Sequence, residues 1–534
     1  VPAHITISGL LSCLTPAEST LAFDATLNPS EDRVTPQTGT APTTEERGNS
    51  VRSAVLWSYV LTGGRVGATT LVTFLLAKLL GPAEFGLIAM ALIVLNLAQM
   101  LLQHGLPQAI VQRGELTDRH LEAAFFALLL AGLGLGAVMA ALSPLWGLAN
   151  RDSQLTLVCL ALAPLVPVFA LMMVPEAILR RQLRFQAIAV RTLIAVTAGG
   201  VVGIGMALAG YGVWALVGQQ VVTGVLNTLV LWLMCRWRPR QWPRLRALRD
   251  LGRFSAHSTN AGVALFVCTR ADQLVTGLMF GSVAVGIYRL AIRLPEMLVE
   301  VTVRSLQQVA LPALSRLQDD RPAFGARLSD LQHLGAVVAL PLIGLLAGVA
   351  GPLVDFLGPQ WAGTELPLRI LCLYAAVHVY GVLLGPALQA AGHPGRLAAL
   401  AWIRGGVAVL SFLVVGWLVT GLSPVHQAAA IAAALVAVEI VITLMAVHWT
   451  RRTIGGVRFR LFTPTVPAIL AGLAAFGAPV GLATVGVAAG VPLLAVLLGG
   501  VVGGLAAAGM LGLTDRRARA LVRQRLRRSA PAGA

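Results

Sequence analysis

The sequence predicts an all-α fold: a polytopic membrane protein of about fourteen transmembrane helices, in two six-helix lobes with two additional helices after them. Three observations predict it. The chain is 57% hydrophobic and only 12% charged, and apolar windows of the ~18 residues or more that a bilayer demands recur along it. Its arginines gather in alternate segments between those windows, as short cytoplasmic loops require. The chain also resembles itself at a period of about two hundred residues.

Taken in order, residues 1–50 are rich in Pro, Thr, Ser, Glu and Gly, a composition that builds no core and reads as a disordered cytoplasmic leader. Residues 51–234 form the first six-helix lobe, with spans near 54–77, 86–110, 122–147, 155–178, 188–209 and 212–234. A basic cytoplasmic linker occupies 235–254. The second lobe covers 255–450, with spans near 255–280, 283–308, 333–357, 365–391, 397–420 and 425–448. Two additional helices fill 451–511, and a basic cytoplasmic tail follows at 512–534. The spans 255–280 and 283–308 are unusually polar and complete the count.

Arg113 and Arg119, the Arg180, Arg181 and Arg184 group, the linker, Arg316 and Arg321, Arg396, Arg451 and Arg452, and the tail all follow even-numbered spans. Odd-numbered loops carry little beyond Lys78 and Arg151. Both termini are therefore expected on the cytoplasmic side of a bacterial inner membrane.

Self-comparison sets GPAEFGLIAMA at 81–91 against GSVAVGIYRLA at 281–291, and the stretch reaching Arg191 against the one reaching Arg404. The offset grows by about ten residues between the two matches, as loop insertions in a duplicated unit would make it. Units with an even number of spans insert in the same orientation, so an axis along the membrane normal should relate them.

The net charge of +17 does not indicate nucleic acid, because arginines between spans are explained by membrane lipids with an anionic face. Five cysteines without a CxxC pair exclude a disulfide framework or structural zinc. Glycine runs at 132–136 and 199–205 lie inside apolar helices with no strand before them, so they pack helices and hold no nucleotide. No resident cofactor or catalytic constellation emerges, and the protein reads as a non-enzyme.

Chemistry concentrates in RLAIRLPEMLVEVTVRSLQQ at 289–308. At 100° per residue, Arg289, Arg293, Glu296, Glu300 and Arg304 fall within an arc of about 80°. Lipid cannot face such an arc, since each central charge costs roughly 2.5–3.5 kcal/mol there. It must face a water-filled cavity or the opposite lobe. Pro295, in the middle of the file, removes an amide donor and is expected to kink the helix as a hinge. The preceding span adds Asn260 and Arg270 on one face and Asp272 on another, so that one of Arg270 and Asp272 should look into the cavity and the other should find a partner on a neighbouring span. In the first lobe, Arg65 is the clearest intramembrane ion, while Glu296, Glu300 and Arg304 correspond to the blander Asn96, Met100 and His104. Arginine forks suit an anionic substrate with phosphate groups. Arg65, Arg270, Arg289, Arg293, Arg304 and Asn260 are thus the substrate-binding candidates, and Asp272, Glu296 and Glu300 compensate charge or exchange H+ or Na+.

LLGPAEFGLIAMA at 79–91, GLPQAIVQRGELTDRHLEAAFF at 105–126, ILRRQLRFQAIAVRTL at 178–193, TRADQLVTGLMFGSVAVGIYRLAIRLPE at 269–296 and LPALSRLQDDRPAF at 311–324 together resemble the polysaccharide biosynthesis flippases of the multidrug/oligosaccharidyl-lipid/polysaccharide exporter superfamily, most closely the exopolysaccharide and teichuronic-acid branch. The resemblance implies two six-helix lobes around a central cavity. It further implies transfer of an undecaprenyl-diphosphate-linked oligosaccharide to the outer leaflet by alternating access with a cation gradient, upstream of a polysaccharide polymerase and downstream of glycosyltransferases. Alternative readings are a cation-coupled small-molecule exporter, a flippase for the peptidoglycan lipid precursor, and a non-transport scaffold.

Overall fold

A computed structural model of the chain describes residues 64, 66–112, 117–182, 184–240, 266, 270–454, 465–484 and 491–515. The leader at 1–50, Arg65, Asn260 and most of the linker and tail lie outside the described residues. Among those described, regular structure is helical, with no strand.

The first half contains α1 (Val66–Leu79), α2 (Pro82–Gln103), α3 (Leu106–Gln112), α4 (Asp118–Ala149), α5 (Ser153–Leu162), α6 (Leu165–Arg181), α7 (Phe185–Leu208) and α8 (Val213–Met234). The second half begins with α9 (270–280) and continues through α10 (Ser282–Thr302), α11 (Arg304–Ser315), α12 (Arg321–Gly348), α13 (Ala350–Leu357), α14 (Glu365–Gly381), α15 (Leu384–Ala390), α16 (Pro394–Leu418) and α17 (Pro424–Ile454). Two last helices, α18 (Val466–Thr484) and α19 (Pro492–Thr514), follow.

Eleven of the described helical stretches are long and apolar enough to cross a membrane, which makes this a multi-pass membrane protein. They coincide in order with eleven of the fourteen expected spans. The first and seventh expected spans are only partly described. The eighth is α10, whose Arg289, Arg293, Glu296 and Glu300 set it apart from the apolar helices.

Helix boundaries repeat between the halves. The α2 and α10 helices both start after a glycine, at Pro82 and Ser282, and end near Gln103 and Thr302. A short helix follows each, α3 and α11. Then α6 and α14, each 17 residues long, run from Leu165 and Glu365. The register changes next: α15 has no counterpart between Arg181 and Phe185, and this extra helix supplies the growth in offset that the repeat displays.

Each half has its own apolar core. One gathers residues of α1 to α8, including Leu76, Met90, Ile110, Leu162 and Leu231. The other gathers α9 to α17, including Tyr288, Leu314, Leu328, Leu371 and Phe412. Large apolar side chains such as Leu130, Leu148, Leu233 and Trp417 lie outward and exposed, a distribution that suits lipid and not water. Gly199 and Gly203 bring α7 onto α8, where an added Cβ would meet Gln219 within 2.9 Å; glycine there is a packing device, as expected for membrane helices. Beyond the second half, α18 approaches α12 so closely that a Cβ on Gly344 would collide with the backbone of Gly472.

The halves meet along α2 and α10. Outside that line, Trp361, in the 3-10 turn Pro359–Trp361, is fully buried against the first half. Its indole Nε1 donates to the carbonyl of Ala77 at 2.7 Å, and its ring meets Phe85 edge-on at 5.5 Å. Lys78 Nζ sits 4.1 Å from the ring centre of Phe356.

Candidate functional site

The charged face predicted on α10 exists, and α9 builds much of it. These two helices join at Gly281, whose φ of +81° is comfortable for glycine and strained for other residues. The turn folds α9 back alongside α10, so that residues 16 apart meet. Asp272, only 6% exposed, accepts from the Tyr288 hydroxyl at 2.7 Å. Arg289 Nη1 donates to Gln273 Oε1 at 3.2 Å. The sequence left open whether Arg270 or Asp272 would be the paired member; Asp272 is, and Arg270 remains partly accessible.

Around this pair, Arg270, Arg293 and Glu296 lie within electrostatic range of Arg289, and Glu296 also lies within range of Asp272. Five of the nine predicted binding or charge-compensating residues, Arg270, Asp272, Arg289, Arg293 and Glu296, therefore share one locality. Glu300 lies about one turn beyond Glu296, at the partly accessible end of α10. Arg65 and Asn260 fall outside the described residues, as does the side chain of Arg304.

One expectation about the file needs correction. It does not run along one helix: α10 ends at Thr302, Val303 caps it with φ −105° and ψ −32°, and Arg304 opens α11. Pro295 is buried inside α10, where it removes one backbone donor.

Beside this face stands a charge cluster that the sequence reading passed over. Glu439 on α17 is 2% exposed. Its Oε1 is 2.7 Å from His378 Nδ1 on α14, and its Oε2 is 2.9 Å from Arg404 Nη2 on α16; the second contact pairs the charges without hydrogen-bond alignment. Tyr374, one turn before His378, stacks on its imidazole at 5.4 Å, and Arg404 Nη2 reaches the Tyr374 hydroxyl at 3.5 Å. Glu296 lies within electrostatic range of Tyr374, and Asp272 within range of Arg404. The cluster thus continues the α9–α10 face. Its signal in the sequence was Glu439 itself, a lone carboxylate in an apolar span, where an ion is expensive and so worth suspicion.

The first half places a different pair at the matching arginine. Arg191, the repeat counterpart of Arg404, donates through Nη1 and Nη2 to Glu176 Oε2 at 3.2 and 3.1 Å, and Arg180 holds Glu176 Oε1 at 2.7 Å. Glu176 and Arg180 also line a cleft of about 350 Å³ with Gln103, His104 and Gln108. His104 caps α2, its Nδ1 lying 3.0 Å from the Met100 carbonyl. Asn96 is partly accessible and Met100 is buried, so this side is the less charged one.

Residues 75–365 match the family described as polysaccharide biosynthesis protein. The chain belongs to that family. Among curated members of similar sequence, the succinoglycan biosynthesis transport protein ExoT of Rhizobium meliloti is 27% identical over 362 residues, which cover 66% of this chain and 72% of the relative. The lipopolysaccharide biosynthesis protein WzxC of Escherichia coli is 26% identical over 357 residues, 63% of this chain and 69% of the relative. Among solved structures, the lipid II flippase MurJ in an inward closed conformation superposes with a TM-score of 0.69 at 14% identity, covering 87% of this chain and 99% of that one. An inward-facing multidrug resistance MATE family transporter gives 0.53 at 16% identity, covering 73% and 95%. At such identities the likeness is one of fold. This polysaccharide biosynthesis protein therefore shares its helical membrane fold with those two structures.

Proposed function

We propose that this polysaccharide biosynthesis protein is a flippase that moves an undecaprenyl-diphosphate-linked oligosaccharide across the cytoplasmic membrane. The observation that carries the reading is the gathering of Arg270, Arg289 and Arg293 on α9 and α10, around the Asp272–Tyr288 and Arg289–Gln273 contacts. Guanidinium groups held there present forked donors that match a diphosphate. The relatives named as transport and flippase proteins support the same reading. Arg65, Asn260 and Arg304 extend the substrate-binding set. Two halves that meet along α2 and α10 can rock against each other, as alternating access requires.

The cycle is coupled to a cation, H+ or Na+, with Asp272, Glu296 and Glu300 compensating cavity charge or exchanging that ion. The protein receives its lipid-linked cargo from glycosyltransferases and delivers it to a polymerase, with both termini in the cytoplasm of a bacterial cell. Export of a small cation is disfavoured, since a lining of arginines repels it.

The test is reconstitution of the full chain into liposomes with a fluorescent diphosphate-linked oligosaccharide. Leaflet exchange above that of empty liposomes is expected. Well-folded protein that exchanges no lipid-linked sugar, including the peptidoglycan precursor, would overturn the proposal.

A further inference from the structure

We infer that His378 and Glu439 form a proton-exchange site that couples cavity charge to the transport cycle, with Arg404 paired to the second carboxylate oxygen. This rests on the flippase reading and adds to it the identity of the coupling ion and of the residues that carry it.

The geometry separates a hidden carboxylate from an accessible base. The Glu439 side chain is 2% exposed, against 24% for His378 and 30% for Arg404. A guanidinium in a membrane span does not keep that exposure towards lipid, where a charge is expensive. The accessible sides of His378 and Arg404 therefore open onto polar space, on the side where Asp272 and Glu296 come within electrostatic range. Glu439 can exchange charge with that space only through its two partners.

Of those partners, arginine keeps its proton under all physiological conditions. Histidine is the side chain that gains or loses one near neutral pH. In the neutral form, His378 Nδ1–H donates to Glu439 Oε1 across 2.7 Å, leaving Nε2 as the lone-pair nitrogen. A proton from cavity water adds to Nε2 and gives an imidazolium; the Nδ1–H stays on the carboxylate, and release returns the proton to water by the same nitrogen. No other bond changes.

The groups around His378 make that proton depend on the cavity. From α17 it faces Glu439; from α16, Arg404; from its own helix, Tyr374. On the α9–α10 side, Glu296 and Tyr288 reach Tyr374, and Asp272 reaches Arg404. From α12, the neutral Gln332 donates its amide to the Tyr380 carbonyl at 3.5 Å. With neutral His378 the Glu439–Arg404–His378 unit carries no net charge; with imidazolium it carries one positive charge. A diphosphate at Arg270, Arg289 and Arg293 favours the charged form and its departure favours release, so cargo and proton bind cooperatively, and each must favour the other to the same extent. Arg404 also disqualifies the carboxylate as a sodium site, because its guanidinium already occupies the second oxygen.

Two substitutions fix the two states. His378→Gln keeps an amide donor to Glu439 and cannot be protonated; His378→Arg keeps a permanent charge. In liposomes carrying the diphosphate-linked fluorescent oligosaccharide, native protein should change its exchange rate several-fold between about pH 6 and about pH 8. Both variants should exchange the lipid with less than about a twofold response over that range. A readout that needs no cargo accompanies this: the nitrogen resonances of His378 in the purified full chain should pass from the neutral to the imidazolium pattern across the same interval. A native pH response retained in folded His378→Gln protein would overturn the inference, as would an imidazole that stays in one form throughout. Exchange that is absent in native protein while His378 still gains its proton would instead overturn the flippase reading and support the proton site.

Discussion

Gly86 on α2 and Gly286 on α10 press reciprocally on each other's helix: a Cβ on Gly86 would collide with the backbone of Ser282, and a Cβ on Gly286 with the carbonyl of Pro82. The two glycines occupy equivalent places in the repeat, and their mutual approach marks the line along which the halves meet. Replacing either with alanine forces backbone apart and should cost about 1–3 kcal/mol. Each single variant should therefore lower the thermal midpoint of the purified protein. Unchanged midpoints for both would mean that this approach is looser than described.

Trp361 ties the turn after α13 to the first half through packing and one hydrogen bond. Trp361→Ala should destabilise by about 3–5 kcal/mol, as large aromatic truncations do, whereas Trp361→Phe forfeits only the bond to Ala77, about 0.5–1.5 kcal/mol. A cysteine at a neighbouring exposed position should also label faster in the alanine variant than in the phenylalanine one. Equal losses in the two variants would assign the contact to the N–H alone.

The Glu176 pairs in the first half differ in burial, and their substitutions should differ accordingly. The Arg191 side chain is 5% exposed and the Arg180 side chain 56%. Arg191→Ala strands a largely buried carboxylate and should cost about 3–5 kcal/mol; Arg180→Ala should cost no more than about 1 kcal/mol. Chemical denaturation in detergent compares them, and a reversed order would contradict the assignment of Arg191 as the structural partner.

Tyr288→Phe removes the hydroxyl that Asp272 accepts. Hydrogen bonds to charged groups contribute about 1.5–3 kcal/mol, so stability should fall by that order. Asp272→Asn should restore part of it in the double variant, because a neutral amide suffers less from the missing donor than a buried carboxylate does. Additive losses in the double-mutant cycle would show that the two side chains do not act together.

Much of this was legible in the residues. Apolar run length shows the membrane class, and the Gly81 and Gly281 turns expose the repeat. The file on α10 is visible because helical periodicity projects sequence onto a face. Partners across helices are not, since a wheel gives direction and no neighbour. Tyr288 therefore stayed hidden as the companion of Asp272, and Glu439 was missed because His378 and Arg404 lie 61 and 35 residues before it on separate helices. The break at Val303 escaped because valine carries no terminating signal.

The account's central claim is that arginines on α9 and α10 receive a lipid diphosphate. Its most direct measurement compares leaflet exchange of a diphosphate-linked oligosaccharide with that of the same oligosaccharide on an uncharged lipid linker, in native protein and in the Arg289→Gln, Arg293→Gln double variant. Native protein should move the diphosphate-linked lipid at least about tenfold faster, equivalent to ~1.4 kcal/mol in the rate-limiting barrier, and the variant should lose most of that preference while remaining folded. Equal rates for the two lipids in native protein, or a preference untouched in the variant, would contradict it.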